Sequence, residues 1–263
     1  MKKLYFGSNL KMYKGIAQTE DYLLKLAASM ADIDLSDKEL FIIPSYTSLP
    51  DVSRLEGIDC IRIGAQNMGW EDEGQFTGEI SAPMLEEIGI RFVMIGHSER
   101  RHVLGETDEM ENLKVKQALK HGFLALLCIG ETAEEKENGL TEEVLRTQIK
   151  IGFKGVDPSQ TGNLWVAYEP VWSIGVNGTP ATADYAEKAH QMIKRALYDQ
   201  FGDAAAKIPV LYGGSVNPGN ANELIVCPSI DGLFVGRSAW DADRFHDLIK
   251  SAILTYEASI REQ

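Results

Sequence analysis

Apolar residues fall into eight short runs, each bounded by turn formers: Leu4–Phe6, Leu40–Ile43, Ile61–Ala65, Phe92–Gly96, Leu124–Gly130, Trp165–Glu169, Val210–Tyr212 and Gly232–Gly236. Several are almost wholly apolar rather than alternating, as expected of parallel strands buried on both faces. Between most of them lie stretches of helical period. Ala186, Ala189, Ile193, Ala196 and Leu197 make one apolar stripe; Phe245, Leu248, Ile249, Ala252, Ile253 and Tyr256 make another. Strand–helix alternation repeated eight times, with no Pro/Gly/Ser-rich linker, predicts an α/β chain closed into a single (β/α)8 barrel. An open doubly wound sheet has the same alternation. A barrel of this kind takes about 250 residues, so one domain over 1–263 is expected.

Polar residues sit where such a barrel builds its active site, at the C-terminal ends of the strands. Asn9 and Lys11 follow the first run, His97, Ser98, Glu99 and Arg100 the fourth, and Glu169-Pro170 closes the sixth. Gly213-Gly214-Ser215 and Gly236-Arg237 follow the seventh and eighth. The long connections Gln66–Gly78 and Ser173–Thr182 also leave such ends, and loops of that length in a compact domain are usually functional. Taken singly, Lys11 reads as a surface lysine and His97 as a structural histidine. Convergence from three strands changes that. Glu169, whose neighbours Pro170, Val171 and Trp172 favour its protonated form, can move a carbon-bound proton, while an imidazole and an ammonium polarise a carbonyl. Gly214, Ser215 and Gly236 let backbone N–H groups approach an anion closely, matching the phosphate site that barrels build after strands seven and eight.

Composition narrows the partners. Twenty-six Lys and Arg against 39 Asp and Glu leave a net charge of −13, which repels nucleic acid and anionic membranes. No stretch approaches the ~18 apolar residues of a membrane helix, and Met1–Gly7 turns polar too early for a secretion signal. Three cysteines, Cys60, Cys128 and Cys227, are too few and odd in number for a disulfide framework, which points to the cytoplasm. Cys128, inside an apolar run, reads as a buried small hydrophobe. No nucleotide, serine-hydrolase or zinc motif is present, and the histidines lack paired metal-ligand spacing, so neither metal nor cofactor is expected.

Asn9-Leu10-Lys11, Gly64-Ala65-Gln66-Asn67, Gly96-His97-Ser98-Glu99-Arg100-Arg101, Tyr168-Glu169-Pro170-Val171-Trp172 and Tyr212-Gly213-Gly214-Ser215-Val216 together resemble the triosephosphate isomerase family, in order and over essentially the whole chain. The resemblance implies a TIM-barrel sugar-phosphate isomerase with Glu169 as the proton shuttle and a neutral His97 polarising the substrate oxygens; that pairing in this family is a worked case in general treatments of pKa tuning. It implies that Lys11 and Asn9 stabilise an enediolate and that Glu99 positions Lys11. Backbone N–H groups of Gly175, Ser215 and the Gly236–Arg237 segment would hold phosphate. Phe76 and Thr77, in Gly74–Gly78, would lie on a loop that enters the partner of a homodimer.

The departures are informative. Leu10 replaces a usual tryptophan, Arg237 a usual glycine, and Ser173–Pro180 differs from the closing loop of enzymes acting on trioses. This pattern is similar to the L-erythrulose-1-phosphate isomerase branch, of erythritol catabolism. The triose reaction of glycolysis and a catalytically silent sugar-phosphate binder remain as alternatives. With Arg237 in place of glycine, its N–H is expected to serve the phosphate while its side chain turns aside; the competing reading is a bidentate guanidinium–phosphate contact. Counting from Glu169 without gaps puts Pro180, which has no N–H, at the loop hinge opposite Tyr212.

Overall fold

The computed structural model describes residues 2–175 and 178–261. The strands are β1 (Leu4–Asn9), β2 (Lys38–Ile43), β3 (Ile61–Ile63), β4 (Phe92–Ile95), β5 (Leu124–Ile129), β6 (Leu164–Tyr168), β7 (Val210–Tyr212) and β8 (Gly232–Val235). They form one parallel sheet in the order β3-β2-β1-β8-β7-β6-β5-β4. A bridge between Ala65 and Val93 joins the two ends of that sheet, with Ala65 N–H donating to Phe92 O and Met94 N–H to Ala65 O, both at 2.9 Å. The sheet is therefore a barrel, as the alternation predicts. The open-sheet alternative is excluded.

Each strand is apolar on both faces because each face is buried. Along β5, Leu126 and Cys128 point into the barrel, while Leu127 and Ile129 point out toward the helices. The interior is a packed column: Phe41 meets Phe92 edge-on at 5.4 Å between ring centres and stacks on Phe234 at 5.6 Å. Gly7 on β1 has no alternative there, since a methyl group on it would overlap the Phe41 ring. Cys128 is buried as predicted, and burial pushes its thiol pKa well up.

Among the described residues the helices are α1 (Ile16–Ser29), α2 (Leu49–Val52), α3 (Ala82–Glu87), α4 (Ser98–His102), α5 (Asp108–Lys120), α6 (Ala133–Glu137), α7 (Thr141–Gly152), α8 (Ala183–Phe201), α9 (Ala221–Ile225) and α10 (Ala242–Arg261). The stripe Ala186, Ala189, Ile193, Ala196 and Leu197 is the buried face of α8, whose start is capped by the Thr182 hydroxyl and whose end is turned by Gly202 at φ 57°. On α10 the second stripe is buried through Ile253, and Tyr256 is half-buried. No described helix is long and apolar enough to cross a membrane.

Candidate active site

Lys11 leaves β1 in the left-handed region, at φ 52°. That conformation costs a non-glycine residue roughly 1 kcal/mol or more, and two neighbours hold it. Asn9 Oδ1 accepts the Lys11 N–H at 2.8 Å, and Gln66 Nε2 donates to the Lys11 carbonyl at 2.8 Å and to Asn9 Oδ1 at 3.2 Å. The ammonium thereby reaches Glu99 Oε1 at 2.7 Å. Asn9, Lys11 and Glu99 are brought together as expected.

His97 is the residue that caps α4. Its Nδ1 accepts the Glu99 N–H at 3.2 Å, which leaves the ring proton of a neutral imidazole on Nε2. Nε2 lies 3.5 Å from Glu169 Oε1, and Glu169 Oε2 accepts the Ser98 N–H at 3.3 Å. Both side chains are buried. The Glu169 backbone continues β6, its N–H donating to Ile129 O at 2.7 Å, and it crosses so close to Gly130 that a methyl group there would overlap its carbonyl. A methyl on Gly213 would stand 2.9 Å from Glu169 Cγ. Glycine at these two places clears room for the Glu169 backbone and for the stem of its side chain.

Gly175, Gly214, Ser215, Gly236 and Arg237 line the same cavity as Lys11, His97 and Glu169, with a volume of about 600 Å³. Gly214 packs against the Tyr212 hydroxyl and Ser173 Oγ, leaving no space for a Cβ. Asn220 Nδ2 holds the Ser215 carbonyl at 2.8 Å. The Arg237 side chain reaches the loop after β6, where Nη2 donates to the Gly175 carbonyl at 3.1 Å. A carboxylate, an imidazole and an ammonium thus share one opening at the C-terminal end of the barrel with a glycine-rich, arginine-bearing rim.

A family model described as triosephosphate isomerase matches residues 4–252. The chain belongs to the triosephosphate isomerase family. It is 45% identical over 251 residues to an L-erythrulose-1-phosphate isomerase of Rhizobium etli, covering 94% of this chain and 91% of that one. A protein of the same name from Brucella abortus is 41% identical over 98% of this chain and 100% of its own length. A triosephosphate isomerase of Carboxydothermus hydrogenoformans is 42% identical, over 96% and 100%. The crystal structure of the triosephosphate isomerase of Bartonella henselae superposes with a TM-score of 0.84 at 34% identity, covering 95% of this chain and 98% of that one. Like its relatives, this member of the family is an isomerase.

The ungapped count to Pro180 is wrong. The groups facing the Tyr212 hydroxyl are the Ser173 hydroxyl and the N–H of Ala181, one residue further on. Tyr212 Oη is buried with no hydrogen bond among the described residues, and burial pushes its pKa up to about 12. Val176 and Asn177, in the loop after β6, lie outside the described residues.

Other residues of this family member's site carry no motif of their own. Trp240 donates Nε1–H to the Asn9 carbonyl at 3.0 Å and packs on Tyr13, with ring centres 4.3 Å apart, so two aromatics wall the cavity beside Lys11. Glu131, fully buried behind the site, accepts hydrogen bonds from Tyr168, Trp172 and Tyr185. Their common signal is position, just after a strand. Phe76 and Thr77 lie outside the cavity, where Phe76 packs edge-on against Trp70 at 5.9 Å.

Proposed function

We propose that the chain, as one domain over 1–263, is a sugar-phosphate isomerase that interconverts L-erythrulose 1-phosphate and D-erythrulose 4-phosphate. The observation that carries the chemistry is the Glu169 carboxylate set against His97 Nε2 in the cavity that also holds Lys11. Glu169 removes the proton from C3, the electrons form the C2–C3 double bond and the carbonyl pair goes to the C2 oxygen; the C3 hydroxyl proton then passes to that oxygen, which moves the charge to the C3 oxygen. The Nε2–H of His97 and the Lys11 ammonium stabilise that enediolate, with Asn9 donating beside them. Glu99 fixes Lys11. The same carboxyl then returns the proton to C2, which leaves the ketone at C3. No cofactor or metal is required, because Glu169 both takes and returns the proton and no net electron transfer to another molecule occurs. Phosphate is held by the N–H groups of Gly175, Gly214, Ser215, Gly236 and Arg237.

The tetrulose differs from a triose phosphate by one CH₂OH, so it needs space and no new catalytic group. Overall identity does not separate the two substrates, since relatives of both names stand at 41–45%. Arg237 and the altered loop from Ser173 to Pro180 favour the tetrulose. The test is kcat/KM for L-erythrulose 1-phosphate and for glyceraldehyde 3-phosphate on one preparation, because discrimination is a difference in transition-state binding. We expect the tetrulose to be preferred. A clear triose preference assigns the glycolytic reaction instead, and no turnover of either leaves a silent binder.

Met12, Val103 and Leu104, 95%, 76% and 63% exposed, leave apolar surface near the site. With the loop bearing Phe76 and Thr77, this supports a homodimer, which light scattering checks. Three free cysteines fit a cytoplasmic enzyme of erythritol catabolism.

A further inference from the structure

One peptide unit sets the direction in which Lys11 leaves β1. The Asn9 carbonyl and the Leu10 N–H share a single rigid plane, and Lys11 enters its left-handed conformation one residue later. One edge of that plane is held by β2, where the Leu10 N–H donates to the Ile43 carbonyl at 3.0 Å. On the other edge the ladder has run out, because β8 pairs with β1 only as far as Ser8–Val235. The Asn9 carbonyl lies one residue beyond. There the Trp240 indole takes the place of a strand, its Nε1–H donating to that carbonyl at 3.0 Å.

The indole is itself held in place. The Trp240 N–H donates to the Arg237 carbonyl at 3.2 Å, and the Ala239 carbonyl accepts the Tyr22 hydroxyl at 2.6 Å, which ties the turn after β8 to α1. Tyr13 packs on the indole with ring centres 4.3 Å apart. Trp240 thus touches the chain before Lys11, at Asn9, and after it, at Tyr13. The Asn9 and Gln66 side chains hold the turn from within, and the indole holds it from outside. The Lys11 ammonium stands at the end of a long flexible stem, so a small rotation of the Asn9–Leu10 plane becomes a large displacement at Nζ. Misplacement by ~1 Å can cost a reaction about 10²-fold.

We propose that Trp240 is a positioning residue for Lys11: its indole N–H fixes the Asn9–Leu10 peptide and so aims the ammonium at the oxygens where charge develops. The proposal rests on the enediolate chemistry assigned above. It gives the indole a role that apolar bulk does not supply, since a phenylalanine would still pack on Tyr13 but leave the Asn9 carbonyl without this donor. Losing that bond frees the peptide to turn. The effect is felt where Lys11 acts and not at the phosphate end of the cavity.

Two probes separate aim from affinity. Inorganic phosphate fills only the anion end, whereas 2-phosphoglycolate adds a carboxylate that falls beside Lys11, where the enediolate oxygens form. Dissociation constants for both, and kcat on the sugar phosphate, are measured for wild type, Trp240→Phe and Tyr22→Phe below all three melting transitions. Tyr22→Phe loosens the turn after β8 without touching the bond from the indole to Asn9. We expect Trp240→Phe to bind phosphate within about twofold of wild type, yet to bind 2-phosphoglycolate about five- to tenfold more weakly and to lose kcat by a similar factor, the scale of one hydrogen bond. Tyr22→Phe should show no such split. Equal weakening of both probes is a general loosening of the cavity and overturns the proposal. So does unchanged binding of 2-phosphoglycolate by Trp240→Phe, the same split in Tyr22→Phe, or a wild type that binds 2-phosphoglycolate no more tightly than phosphate. Wild type that isomerises neither sugar phosphate, but whose Trp240→Phe variant still splits the probes, sinks the proposed reaction and leaves the positioning of Lys11 standing.

Discussion

Replacing Glu111 with glutamine should make the protein more stable at alkaline pH and leave it nearly unchanged at pH 5. Glu111 lies in the first turn of α5, fully buried, its carboxylate filling the notch left by the missing side chain of Gly96. Arg101 Nη2 stands 2.6 Å away, but the same guanidinium donates to the Gly96 and Cys128 carbonyls and pairs with Asp108. Burial outweighs this shared cation and pushes the Glu111 pKa from 4.5 up to about 8. The native state therefore keeps a proton that the unfolded chain loses near 4.5. Stability falls as pH rises between about 4.5 and 8 and levels off above. At about 1.36 kcal/mol per pH unit, the whole window is worth on the order of 5 kcal/mol. Glutamine has the same shape and no charge to bury. A third of that sum would still raise the melting temperature by several degrees, at roughly 2–4 °C per kcal/mol for a domain of this size. Melting curves of both proteins from pH 5 to 9 give the answer. Parallel curves, or a less stable Glu111→Gln at pH 9, would refute the reasoning.

Three further outcomes are expected. Glu169→Gln should keep its fold and lower kcat by about 10²–10⁴-fold, the usual worth of a general base; near-normal turnover by folded protein removes Glu169 from the proton path. The Ala181 N–H beside Tyr212 supplies the donor that Pro180 lacks: Tyr212→Phe should lose a closed-loop hydrogen bond worth ~0.5–1.5 kcal/mol, a several-fold fall in kcat/KM, with more phosphate eliminated from the exposed enediolate. Unchanged isomerisation and phosphate release in that variant would argue against the latch. Gly7→Ala drives a methyl into the Phe41 ring and should cost about 1–3 kcal/mol; a melting temperature equal to wild type would show that the barrel interior yields freely.

The strands were legible because a run buried on both faces is apolar throughout, and their centres agree with the structure. Their ends were not. β1 reads as ending at Phe6, yet continues to Asn9 through Gly7 and Ser8, because the Phe41 ring demands glycine where pattern reading sees a break. The run through Ala65 makes regular pairs only to Ile63. In the site, Lys11, His97 and Glu169 were legible from their places after strands. Trp240, Tyr13 and Glu131 were not, since their roles depend on partners far along the chain. The hinge opposite Tyr212 was misplaced for a plain reason: an irregular loop has no period to count by, so a register carried across it from Glu169 slips.

The ring of strands is unevenly sewn. β1 and β8, from opposite ends of the chain, pair at four positions from Tyr5–Gly232 to Ser8–Val235, whereas the neighbours β3 and β4 meet at the single Ala65–Val93 bridge. The barrel is a hoop with one thin weld, and the loop bearing Phe76 and Thr77 springs from beside it. Thermal breathing should begin there, because local opening starts where the fewest bonds must break. Native-state exchange would show it as earlier loss of the Ala65 and Met94 amides than of the β1–β8 ladder. A second subunit seated on that loop would brace the weld from outside, so dilution would loosen the hoop well before it unravelled it.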